Sequence, residues 1–77
     1  MTASECSIMV FFHRYEIGPH QMLFFNPGDC KLAESRFREA MQSLMIRGLV
    51  IKERPKHAYS LTRPGYDLSL SVQGNEA

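Results

Sequence analysis

The strongest pattern in the chain lies between Asp29 and Arg47, where Ala33, Phe37, Ala40, Met41, Leu44 and Gly48 recur on one side at about 100° per residue. The opposite side carries Ser35, Arg38, Glu39, Gln42 and Ile46, with Arg36, Ser43 and Arg47 along one flank. An amphipathic helix is therefore expected, with an outward stripe rich in side chains that make paired hydrogen bonds. Gly48 is placed to stop it, because glycine tolerates the left-handed backbone that closes a helix. Leu49-Val50-Ile51 followed by Lys52-Glu53-Arg54 then reads as a strand leaving the core. Pro55-Lys56-His57 turns the chain, and Ala58-Tyr59-Ser60-Leu61-Thr62 returns with strand-forming residues, which predicts a β-hairpin with a basic tip.

Before this stretch, Thr2-Ala3-Ser4-Glu5 has the form of a capping box, so a first helix is expected to begin there. Ile8, Phe11, Phe12 and Tyr15 continue it at helical spacing. Val10 and the aromatics suit a short buried strand as well, but the capping signal favours helix. Gly18-Pro19 is the expected end. His20 to Phe25 is a second helix or a strand, since so few residues do not define a period. Asn26-Pro27-Gly28-Asp29 is a turn, with Asp29 placed to cap the following helix. After Thr62, Tyr66, Leu68, Leu70 and Val72 alternate with polar residues at period two, which favours a strand, although Thr62 also suits a helix cap. Residues 73–77 are small and polar, as in a frayed terminus.

With 77 residues, 44% of them apolar and 22% charged, the chain suits one small folded domain. The formal net charge is only +1, but its distribution is uneven. Residues 31–63 hold eight bases (Lys31, Arg36, Arg38, Arg47, Lys52, Arg54, Lys56, Arg63) against Glu34, Glu39 and Glu53, a local balance of +5. Such a half can face a polyanion. Cys6 and Cys30 lack metal-ligand spacing and read as reduced thiols, so no metal is expected. The longest apolar run, Ile8 to Phe12, is far too short to span a bilayer, and a cytoplasmic protein is expected. His13, His20 and His57 are scattered, and no nucleophile and base pattern or glycine-rich phosphate loop is present. Neither an enzyme nor a cofactor is expected.

Phe37 to Val50 resembles the recognition helix and first wing strand of winged-helix regulators, and Tyr59-Ser60-Leu61-Thr62-Arg63-Pro64-Gly65 is similar to their aromatic-x-Leu-Thr-x-x-Gly segment. The likeness covers about half the chain. It implies an α+β winged helix-turn-helix fold over residues 1–77, with about three helices and a C-terminal hairpin wing, the recognition helix and wing lying within 29–70. It also implies that the helix ending at Arg47 enters the major groove of double-stranded DNA while the hairpin lies on the backbone. On that reading Ser35, Arg38, Glu39 and Gln42 are the base readers, because Arg suits guanine, Gln adenine and Glu cytosine. Arg36, Arg47, Lys52, Arg54, Lys56 and Arg63 suit phosphates. The expected function is transcription regulation by site occupancy, in a protein small enough for a phage or mobile element. A homodimer seam is expected through Ile8, Phe11 and Phe12. The alternative is a protein-interaction module, an inhibitor or adaptor, that uses Ile46 and the wing.

Overall fold

In the computed structural model, which describes residues 1–26 and 28–75, Thr2 and Glu5 form the expected capping box. Thr2 Oγ1 accepts from the Glu5 amide at 3.1 Å, and Glu5 Oε1 accepts from the Thr2 amide at 2.8 Å. The helix they open, α1 (Ala3–Arg14), stops short of Gly18-Pro19. Glu16 takes a left-handed φ of 53°, its amide donates to the His13 carbonyl, and the Ile17 amide donates to that of Phe12. These two bonds are the closure that glycine usually provides, here made by a glutamate. The aromatic side of α1 faces inward: Ile8, Met9 and Phe12 are fully buried and Phe11 nearly so. The expected dimer seam through Ile8, Phe11 and Phe12 is thus corrected, since these side chains fill the protomer's own core.

The open segment before the turn is a strand, β1 (Met22–Phe24). The next helix, α2 (Glu34–Ile46), begins later than Asp29. Asp29 does not cap it: its carboxylate accepts from the Asn26 amide at 2.7 Å inside the turn, and Lys31 sits at a left-handed φ of 56° that no helix interior admits. Leu32 and Cys30 instead pack against the core. The N-cap is Ala33, with no side-chain hydrogen bond. Ala40, Met41 and Leu44 are the buried face of α2, which fixes its rotation. Gly48, at φ 75°, closes it: its amide donates to Met45 and the Leu49 amide to Leu44, both at 3.0 Å.

The hairpin is β2 (Val50–Lys52) and β3 (Ala58–Leu61), and β1 joins the free side of β3 to give an antiparallel sheet in the order β1-β3-β2. Register places Leu23, Tyr59 and Lys52 in one cross-strand row and Met22, Ser60 and Ile51 in the next, on the opposite face. Leu61 and Val50, on the Tyr59 side, are buried in the core, whereas Met22, Phe24 and Ile51 are exposed on the outer side.

Residues 66–72, expected as a strand, belong to a third helix, α3 (Arg63–Asn75), which packs against α1. Thr62 caps it: Oγ1 accepts from the Gly65 amide at 3.1 Å and donates to the Gly48 carbonyl at 2.7 Å. The buried positions Gly65, Ser69 and Val72 recur at helical spacing, and two of them are not apolar, which hid the period. Of the expected frayed tail, 73–75 continue α3 and 76–77 lie outside the described residues. The protein is an α+β domain of three helices and a three-stranded antiparallel sheet among the described residues, with the third helix after the hairpin rather than before it.

Candidate nucleic-acid interface

Because Ala40, Met41 and Leu44 point inward, the helical period turns Ser35, Arg38, Glu39, Gln42 and Ile46 outward, and each is exposed, as is Arg36 on the flank. Arg38 Nη2 lies 2.9 Å from Glu34 Oε1 one turn earlier. Both partners are largely in water, so this pair is worth only a few tenths of a kcal/mol, about 0.3–0.5 for the i,i+4 type, and yields easily to another acceptor. Ile46 is 79% exposed at the far end of the stripe, while Met45 beside it packs partly against the core.

The hairpin tip carries Arg54, Pro55, Lys56 and His57, all exposed, with His57 at a left-handed φ of 66°. Lys52 is not free in the same way. Its ammonium donates to the carbonyls of Glu53 (2.6 Å) and Pro55 (3.1 Å) and sits 5.2 Å from the centre of the Tyr59 ring, so it braces the turn. Glu53 accepts from the buried Ser60 hydroxyl, which ties the two strands. Among the described residues Arg36, Arg54 and Lys56 have no ion-pair partner.

Two further basic residues are occupied. Arg63 pairs with Asp67 at 3.6 Å on the surface of α3. Arg47 Nη1 is 3.3 Å from Glu5 Oε2, which also accepts from the Ser43 hydroxyl at 2.8 Å. Glu5 is only 3% exposed. Its carboxyl is held down to about 2 from 4.5, chiefly by the Thr2 amide, with burial opposing and with Ser43 and Arg47 adding to the stabilisation of the anion. This cluster joins α1 to α2, so Arg47 serves the fold. Its one signal in the sequence is the capping-box glutamate.

A cavity of about 640 Å³ opens between α2, the segment around Gly28 to Leu32, and the hairpin. Phe25 and Met41 form its buried parts, and Phe37, Tyr59, Cys30 and Leu32 its half-exposed walls. Burial and the neighbouring Asp29 push the Cys30 thiol up to about 11, so it stays neutral, and burial also raises the Tyr59 phenol. Sequence periodicity assigned Phe37 and Met41 to core and gave no sign of a cavity, because the stretch that leaves it open is the irregular turn where continuous helix was expected.

Among the described residues no group of three or more His, Cys, Asp or Glu is placed to hold a metal, and no helix is long and apolar enough to cross a membrane. Fold and site together define a small α+β domain that presents a polar helix face and a basic hairpin tip. Comparison of the chain with protein-family models, curated proteins and solved structures gives no match.

Proposed function

We propose that this chain is a winged-helix DNA-binding module that regulates by occupying its site, without catalysis. The observation that carries the reading is the single exposed stripe Ser35, Arg38, Glu39 and Gln42 on α2, in a chain whose hairpin tip holds the unpaired cations Arg54 and Lys56. A helix fits the major groove of B-form DNA, and side chains on its outward face reach base edges. Arg38 and Gln42 are the base readers in this scheme, with Ser35 and Glu39 as secondary contacts. Arg36, Arg54 and Lys56 take phosphates. The first turn of α2, where Ala33 supplies no capping acceptor, offers its amides to a phosphate oxygen as well.

Selection of bound duplexes from a random pool, at two salt concentrations, tests this. An enriched half-site is expected, with Arg38→Ala and Gln42→Ala relaxing its sequence preference and Lys56→Ala weakening all duplexes alike. No binding even at low salt would refute the proposal.

A second reading is favoured by Ile46, whose exposure is more typical of a protein contact than of a phosphate contact. In it, α2 and the hairpin present to a protein partner. Ile46→Asp should then abolish partner capture while leaving the fold intact, and unchanged partner affinity would remove this reading's support.

A further inference from the structure

The cavity beside α2 has properties that the DNA reading does not use. Its volume of about 640 Å³ lies in the usual range for small-molecule sites. Two turns of a partner helix, with side chains, occupy roughly 1,000 Å³, too much for this space. Three of its walls are aromatic: Phe25 packs on Phe37 and Tyr59 with ring centres 5.7 and 5.8 Å apart, and Phe37 lies 6.4 Å from Tyr59. Such walls favour flat, aromatic guests.

The polar groups at the cavity narrow the class further. Arg38 and Glu34 offset each other's charge and Asp29 adds an acid, so no net positive charge lines the cavity to draw an anionic guest. By contrast, the side chains of Asn26, Gln42, His57 and Tyr59 make no hydrogen bond within the protein among the described residues, and all four line the cavity. Amide, imidazole and phenol together donate and accept without demanding net charge. We infer that the cavity is a binding site for a planar, uncharged heteroaromatic molecule, with its ring against the aromatic wall that Phe37 and Tyr59 form and its heteroatoms on Gln42 and Asn26. The assignment does not rest on DNA binding, but Gln42 would be shared between this guest and a bound duplex.

The test is titration of the whole chain with indole, quinoxaline and adenine, followed by two-dimensional NMR, with naphthalene-2-sulfonate as the charged control. Fragments of this size are expected to bind with dissociation constants on the order of millimolar or tighter. Saturable shifts should centre on Phe37, Met41 and Tyr59 and spare Met22, Phe24 and Ile51, the exposed apolar residues of the sheet's outer face. Gln42→Ala, at an exposed position, should weaken adenine about tenfold and indole less. Leu32→Trp should fill the space and remove all three responses. If that variant does not fold, the Gln42→Ala selectivity decides. Unsaturable shifts, shifts equal on the outer sheet face, equal loss of adenine and indole in Gln42→Ala, or tighter binding of the sulfonate would each overturn the assignment.

Discussion

Replacing Glu5 by Gln tests whether an ionised carboxylate at the junction of α1 and α2 holds the fold together. Glutamine keeps the shape and can still close a capping box with Thr2, so the change isolates the charge. The carboxyl goes from 4.5 to about 2 on folding. By linkage, that depression contributes about 3 kcal/mol at neutral pH, an order-of-magnitude figure that needs little discount for solvent because the side chain is buried. A group whose folded value is depressed lends its stability above the unfolded value and loses it as pH falls through the folded one. The contribution is thus complete above about pH 5.5, less than half of it remains at about pH 3, and little at about pH 2. Urea unfolding of both proteins at these pH values is the assay. In a domain of this size about 3 kcal/mol is a large share of total stability and should lower Tm by about 10–20 °C. A gap that does not change with pH, or one below about 1 kcal/mol at pH 7, would refute the assigned role of the charge. A residual gap at pH 2 alone would reflect the glutamine NH2 facing Arg47.

Gly65→Ala should destabilise by about 3 kcal/mol, near the top of the usual overpacking range. A Cβ there would run into the Leu49 carbonyl oxygen, which also accepts the Thr62 amide, and unchanged thermal unfolding would show that α3 does not pack this closely. Glu16→Gly should stabilise by about 0.5–1 kcal/mol by relieving the left-handed strain at the end of α1, and a loss in chemical denaturation would count against that helix closure. For duplex binding, log K against log salt should have a slope of about −3, as for phosphate contacts by the three cations Arg36, Arg54 and Lys56. A slope of about −5 or steeper would mean that Arg47, Lys52 and Arg63 also reach phosphates.

Where the fold was legible in the sequence, the signal was chemical as well as periodic. Thr2 and Glu5 announced the start of α1 because a hydroxyl and a carboxylate three residues apart satisfy each other's backbone amides. Gly48 announced the end of α2 because its φ of 75° is costly for any residue with a Cβ. The failures share a physical cause. Glu16 and Lys31 both take left-handed backbone conformations without being glycine, so the end of α1 and the late start of α2 carried no composition signal. Thr62 did carry one. It was outweighed by the alternation of Tyr66, Leu68, Leu70 and Val72, which mimicked a strand because a helix that buries Gly65 and Ser69 needs few apolar residues on its inner face.

The site was legible as to which residues face outward and much less so as to what they are free to do. Helical period placed Ser35, Arg38, Glu39 and Gln42 on one exposed stripe, and the structure exposes all four. The local charge balance of +5, however, counts every cation as if it were available. Arg47 is drawn to Glu5, which is distant in sequence and adjacent only once α1 and α2 have packed. Lys52 is drawn to carbonyls that converge only when the hairpin turn has formed. Charge that a fold uses internally contributes little to a field felt by a polyanion, since each partner carboxylate or carbonyl dipole offsets it at close range. The attraction left to this protein is therefore weak and local, concentrated at Lys31 and Arg36 around the start of α2 and at Arg54 and Lys56 on the hairpin. A DNA-binding protein with so few free cations must gain much of its discrimination from Arg38 and Gln42 at the base edges, which is why substitution of those two residues bears most directly on the proposed function.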